Sequence, residues 1–220
     1  VYIEAARKVL SQGKGVLILV PEISLTPQLF GRFRSQLGED IALIHSAVAK
    51  GIRNDQWHAL HEGRIRVALG ARSALFAPVQ NLGLIICDEE HDGSFKQHSP
   101  RPYYNARDLA VVMGGFANAT VILGSATPSM ESYFNSKTGK YTLIKMNRRV
   151  GNVKLPRVHI VDMKQERQLG ISGSFSRELK KYMDRALLTG QKVILLMNRR
   201  GYSTFLQCNF CGHVPHCPDC

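Results

Sequence analysis

No stretch of this 220-residue sequence is apolar for long enough to cross a membrane: the runs at 16–20, 82–87 and 193–197 are of strand length. A spanning helix needs roughly 18 apolar residues. A signal peptide is missing too, so a cytoplasmic protein with no membrane partner is expected. Acidic side chains are scarce in one place. Residues 140–202 hold four acids against 15 bases, whereas 1–139 hold 12 against 14. Nearly all of the net charge of +12 therefore comes from little more than a quarter of the chain. Such a basic, non-repetitive segment points to a phosphate-backbone partner. Cysteine is limited to Cys87, read as a small buried hydrophobe within an apolar strand, and four residues among the last thirteen. There is also no Gly-x-x-x-x-Gly-Lys-Thr loop. Gly13-Lys14-Gly15 precedes a strand, while a phosphate cradle needs a strand before it and a helix after it.

What is present describes a soluble globular chain, 44% hydrophobic and 21% charged, with room for one complete core and part of a second. Residues 2–10 have helical character, 16–20 form a strand, and Thr26 with Pro27 opens a further helix as cap and first residue. A second cycle follows: strand 41–44, an amphipathic helix over 50–62 carrying Trp57, and strand 65–69. Strands alternating with helices at this spacing predict an α/β fold with a doubly wound parallel sheet. Further on, Asn105 caps a helix and 120–123 is a strand. Residues 158–161 and 193–197 read as strands, and Ser176 caps a helix running to Leu188 with Gly190 past its end.

The centre of the sequence is Leu82-Gly-Leu-Ile-Ile-Cys-Asp88-Glu89-Glu90-His91, an apolar run ending in three carboxylates and a histidine. It reads as a buried parallel strand whose acids fall where open α/β sheets place their ligand crevices. Adjacent acids there suit magnesium bound through one carboxylate and water activated by the next. The strand at 120–123 ends in Gly124-Ser125-Ala126-Thr127-Pro128, whose small hydroxyl residues can hydrogen-bond beside such a site.

Asp-Glu-x-His on one strand and Ser-Ala-Thr on the next, about 35 residues later, resembles the superfamily 2 helicases. Val20-Pro-Glu-Ile-Ser-Leu-Thr-Pro-Gln28, Gly70-Ala-Arg-Ser-Ala-Leu-Phe-Ala-Pro78 and Asn198-Arg-Arg-Gly-Tyr202 narrow the likeness to the bacterial replication-restart helicases, over essentially the whole chain. That resemblance implies RecA-like lobes of the P-loop NTPase type, with a zinc module inserted in the second. It also implies ATP-driven 3′→5′ DNA unwinding at stalled forks. The implied organisation is a first lobe over 1–147, a linker at 148–156, the start of a second lobe at 157–206 and a zinc module from 207 to 220. Asp88 would bind the Mg2+ of MgATP, Glu89 would position the attacking water, and His91 would relay nucleotide state towards DNA. Ser125 and Thr127 would stand beside the nucleotide.

Residues 93–107, with Phe95, Lys96, Gln97, Arg101, Tyr103, Tyr104 and Arg107, resemble the aromatic-rich loop that couples DNA binding to hydrolysis in such helicases. Bases stack on such rings while cations hold phosphates, at about 1–3 kcal/mol per stacked base. Ser24, Thr26 and Arg72 are implied backbone contacts; Thr26 has its cap role as well, and Arg72 could pair with an acid at the strand end. Primosome proteins and single-stranded-DNA-binding protein are the partners the resemblance implies. Nothing before Val1 caps the first helix, so the missing phosphate loop is expected immediately upstream, and the arginine-bearing motif beyond the other end. These 220 residues by themselves are expected not to hydrolyse ATP.

The tail pairs Cys208 with Cys211 and Cys217 with Cys220. Two Cys-x-x-Cys knuckles signal Zn2+ rather than a redox site, since neither precedes a helix in a thioredoxin-like setting. One tetrahedral site made of all four is the simplest reading. In the family eight cysteines serve two zincs, and these two pairs would belong to different ions. His213 and His216 are read as loop residues. Against the helicase stands a second class of function, a non-enzymatic nucleic-acid-binding or complex-assembly module on the same scaffold, for which the missing phosphate loop argues.

Overall fold

The computed structural model describes residues 1–21, 27–38, 40–45, 48–147, 156–171, 173–196 and 211. The chain divides into two compact units, Val1–Lys145 and Met146–Cys220.

In the first unit, strands β1 (Gly15–Leu19), β2 (Ile41–Ile44), β3 (Val67–Gly70) and β4 (Leu82–Asp88) build a sheet. A fifth strand of that sheet, β7 (Thr120–Gly124), follows a small two-stranded hairpin of β5 (Lys96–Gln97) and β6 (Tyr104–Asn105). The large sheet has the order β2-β3-β1-β4-β7, and every pairing in it is parallel. Parallel strands buried on both faces must be apolar throughout, and β1 is buried at all five positions. Alternation then divides the side chains. Val16, Ile18 and Ile86 face one layer together with Ala6, Leu10, Phe33 and Leu37, while Leu17, Leu19, Ile85 and Cys87 face the other with Leu60, Ala106 and Ala110.

Helices α1 (Tyr2–Ser11) and α2 (Pro27–Leu37) thus cover one face, and α3 (Lys50–His61) and α4 (Ala106–Ala117) the other. This is the α/β, RecA-like doubly wound arrangement expected from the sequence. Asn105 caps α4 as expected, its side-chain oxygen accepting from the Arg107 amide at 3.0 Å. Pro27 opens α2; its expected cap, Thr26, lies outside the described residues. A 3-10 helix at Arg72–Phe76 and helix α5 (Met130–Lys137), capped by Ser129, are additions to the sequence reading.

In the second unit, α6 (Met163–Gln168) and α7 (Arg177–Leu188) are helical, and Ser176 caps α7 as expected. Glu166 accepts from the Arg177 amide at 2.8 Å and pairs with its guanidinium at 3.0 Å, joining the two helices. The strands expected at 158–161 and 193–197 do not form among the described residues. A strand needs a ladder partner, and none of the described residues pairs with them: Ile160 and Ile194 are each 94% exposed.

Candidate functional site

The chain crosses from one side of β1 to the other after β3, so a crevice opens outside the carboxyl ends of β1 and β4. Asp88 ends β4 at that point, in register with Gly124 of β7. The hydroxyl of Tyr2, the first residue of α1, donates to Asp88 Oδ1 at 2.8 Å, which brings the amino end of α1 to the acid. Burial first, then the bonded Asp88 carboxylate, pushes the Tyr2 phenol well above its ordinary range. The ring lies so close over Gly124 that a Cβ there would overlap the Tyr2 hydroxyl. Only glycine fits.

A tight turn follows, closed by the Asp92 amide donating to the Glu89 carbonyl at 2.8 Å. Glu89 adopts φ 49°, a left-handed conformation costly for a side chain bearing a Cβ. The turn separates three consecutive acids. Asp88 and Glu89 remain partly exposed at the crevice, whereas Glu90 is 2% exposed. Its Oε1 accepts from the Ser129 amide at 2.6 Å, and its Oε2 accepts from Ser132 Oγ at 2.9 Å, Ser129 Oγ at 3.0 Å and Arg107 Nη1 at 3.2 Å. Burial alone would raise the Glu90 carboxyl. These donors outweigh it and hold the group below the ordinary carboxylate range.

His91 emerges on the side of β7. Its Nδ1 is 2.7 Å from Ser125 Oγ, and its Nε2 is 3.4 Å from Thr127 Oγ1. Ser125 Oγ also accepts from the Thr127 amide at 2.9 Å, and Glu89 Oε2 stands 3.6 Å from His91 Nδ1. Six of the residues singled out from the sequence, with Glu90, therefore meet at one sheet edge or its adjoining network: Asp88, Glu89, His91, Ser125, Thr127 and Arg107.

The segment at 93–107 folds as a hairpin, with β5 and β6 antiparallel. Gln97 Nε2 donates to the carbonyls of Pro100 and Pro102 at 2.8 and 2.9 Å, closing its tip. Arg72 supports its base by donating to the carbonyls of Ser94 and Lys96 at 3.2 and 3.1 Å, in place of the expected acid partner. Tyr104 meets Phe76 edge-on, with ring centroids 5.4 Å apart. Lys96 and Arg101 are exposed, Tyr103 is 64% exposed, and the Arg101 guanidinium lies 5.5 Å from the Tyr103 ring centre. Lys96, Gln97, His98, Tyr103, Tyr104 and Asn105 line a shallow depression of about 350 Å³.

Two members of the segment turn inward instead. Phe95 is 1% exposed and belongs to the core, and Arg107 is 7% exposed and committed to Glu90, Ser129 and Asp108. Neither presents its side chain to a base or phosphate at this surface: Phe95 packs in the core with Ile85 and Cys87 of β4, and Arg107, in α4, is held by Glu90 and Ser129. Ser24, Thr26, Cys208, Cys217 and Cys220 lie outside the described residues, and Cys211 is exposed. No group of three or more His, Cys, Asp or Glu side chains suited to a metal occurs among the described residues. Sequence reasoning missed Tyr2, Ser129 and Ser132. Ser129 had a signal of its own, a serine with an acid two residues on, which marks a helix start; Tyr2 had none.

A helical-layered parallel sheet with acids at this strand end and a histidine bridging to the next strand defines the class. The DEAD/DEAH box helicase model matches residues 1–135, more than half of the chain, and the chain belongs to that family. It is similar to the Replication restart protein PriA of Bacillus subtilis, 42% identical over 220 residues, which cover all of this chain and 27% of that protein. The Chlamydia pneumoniae PriA is 41% identical over 221 residues, covering all of this chain and 30% of that protein. The chain thus spans less than a third of the length of these relatives. Among solved structures, the C-terminal domain of the DEAD-box protein Dbp5 superposes with a TM-score of 0.40 at 14% identity, over 63% of this chain and 81% of that one.

Proposed function

We propose that this chain is part of the motor of an ATP-dependent 3′→5′ DNA helicase acting in replication restart. The observation that carries the proposal is the contact of His91 with Ser125 and Thr127 beside Asp88 and Glu89, at the carboxyl edge of β4 and β7. Open α/β sheets take their ligands at such an edge, which supports a nucleotide site here with the turn at 125–128 beside it.

Asp88 suits a hard cation: its carboxylate stands partly exposed at the crevice, with Oδ1 fixed by the Tyr2 hydroxyl. Mg2+ bound with ATP would neutralise developing phosphate charge there. Glu89, held by its unusual backbone next to Asp88, accepts a proton from or orients the attacking water. His91 reports the outcome to the turn at 125–128. The hairpin at 93–107 offers Lys96, Arg101, Tyr103 and Tyr104 to single-stranded DNA. Arg72 acts by holding the hairpin base.

The remaining parts rest on the likeness to proteins named for replication restart. Primosome proteins and single-stranded-DNA-binding protein are the proposed partners and the cytoplasm the proposed location; no helix among the described residues is long and apolar enough to cross a membrane. Cys208, Cys211, Cys217 and Cys220 are proposed zinc ligands, and metal analysis of purified protein tests them.

The intact protein should release phosphate from MgATP faster when oligothymidylate is added, and Asp88→Ala should abolish that release. The 220 residues alone should hydrolyse ATP only at background, because they hold no phosphate loop. Turnover by the 220-residue chain near that of an intact helicase would overturn this last point. For these 220 residues taken alone, a second reading is a non-enzymatic nucleic-acid-binding or complex-assembly module on the RecA-like scaffold. Salt-dependent DNA affinity of the 220-residue chain with no effect of ATP would support that reading for these residues.

A further inference from the structure

Glu90 holds both ends of the turn that carries Ser125 and Thr127. Its amide donates to the Gly124 carbonyl at 3.0 Å, and its carboxylate takes the amide and hydroxyl of Ser129. Residues 125–128 are therefore clamped by contacts from one side chain and its own backbone. The next residue, His91, reads that turn through Ser125 and Thr127.

The other side of Glu90 faces the hairpin. Its partner Arg107 stands in the first turn of α4, two residues after Asn105 of β6, and Asn105 caps the helix by accepting the Arg107 amide. A continuous path runs from the hairpin through Arg107 and Glu90 to the turn at 125–129 and back to His91. Apolar residues of the same volume would fill this space at least as well, so a buried ion pair is a poor device for stability alone. An ion pair can be made or broken as a unit, which is the kind of element that transmission between two sites requires.

We propose that Glu90 and Arg107 are positioning residues that couple nucleic acid at the 93–107 hairpin to the geometry of His91, Ser125 and Thr127. The proposal rests on the reading of the molecule as a DNA-stimulated ATPase. Neither side chain touches the nucleotide or the DNA. Their effect is on communication, and because coupling is reciprocal it has a binding readout as well as a kinetic one.

The test uses the intact protein and oligothymidylate. Glu90→Gln keeps one acceptor, for the Ser129 amide, and replaces the charged oxygen that holds Arg107 by an NH2 group, to which the serine hydroxyls can turn as acceptors. The ratio of oligothymidylate-stimulated to DNA-free hydrolysis should fall by about tenfold, while the nucleotide-free affinity for oligothymidylate is unchanged. The change in DNA affinity caused by a non-hydrolysable ATP analogue should vanish with it. Ser132→Ala removes one donor to Glu90 and leaves the ion pair in place; it should weaken stimulation less, and it carries the test if Glu90→Gln does not fold. Full stimulation with an undiminished analogue effect in these variants overturns the proposal. So do basal and stimulated rates that fall in proportion with Tm, the mark of a merely structural pair. If the unaltered protein is not stimulated by DNA, the helicase reading itself fails, and this inference with it.

Discussion

The carboxyl end of β4 and the hairpin at 93–107 are neighbours in the chain, yet they treat charge in opposite ways. At the strand end charge is held: Tyr2 bonds Asp88, and Glu90 takes bonds from four donor atoms. On the hairpin Lys96 and Arg101 are exposed, and Arg101 lies against a tyrosine ring that is itself in solvent. Fixed charge suits chemistry, where groups must be in place before the reaction. Exposed cations and rings suit a long, flexible anion that is gripped without regard to sequence. Arg107 lies on the boundary, since the hairpin's sequence contains it and the strand end's network uses it.

The largest effect should come from the fixed side. In the intact protein Glu89→Gln should lower DNA-stimulated hydrolysis by about 10²–10⁴-fold, the span of a lost general base. Melting and oligothymidylate binding should be unaffected. A rate within a few-fold of the unaltered protein would remove Glu89 from water activation.

Two arginines six residues apart in the hairpin's reach then sharpen the contrast. Arg107→Ala strips a buried carboxylate of its cation and should destabilise the first unit by about 3–5 kcal/mol in chemical denaturation. Arg101→Ala removes an exposed side chain and should change stability by less than about 0.5 kcal/mol. If the two arginines cost the same, the division between held and exposed charge is wrong.

A smaller effect belongs to the exposed side. Tyr103→Ala should cost about 1–3 kcal/mol of affinity for oligothymidylate, with little change in its dependence on salt. Arg101→Ala should reduce the slope of log affinity against log salt by about 0.7, the share of one phosphate contact on a single strand. Fluorescence anisotropy over a salt series separates the two.

Much of this was legible in the sequence, and the limits have physical causes. The central strands declare themselves because strands buried on both faces must be continuously apolar, and 16–20 and 82–87 are such runs. Asp88, Glu89, His91, Ser125 and Thr127 lie at strand ends, where topology alone gathers them. Composition misled at Phe95 and Arg107: an aromatic and a cation within a basic, ring-rich segment look alike whether they face solvent or core, and only packing separates them. Glu90 was visible as the third acid of a run but not as the odd one, because a turn with φ 49° at Glu89 decides which carboxylate faces inward. The expected strands at 158–161 and 193–197 had the right residues, but a strand also requires a partner, which its own sequence does not specify.

The smallest effect follows from Glu90 itself. Burial favours its neutral form, but Ser129, Ser132 and Arg107 bind the ionised form more strongly, and its carboxyl titrates below the ordinary range. A group whose folded value lies below its unfolded one contributes stability that is fully present above the unfolded value, about 4.3 for glutamate. That contribution is lost as pH falls through the folded value. Asp92 and Glu62, also held low, act in the same direction in the first unit. Tm should therefore fall on acidification below the ordinary carboxylate range. Glu90→Gln carries no proton to gain at this site, so it should start lower at neutral pH and lose less. The two curves of Tm against pH should converge towards the acid side. Parallel curves would mean that the Glu90 carboxyl is no better ionised in the folded chain than in the unfolded one, and the strand end would then hold its charge no more firmly than the hairpin does.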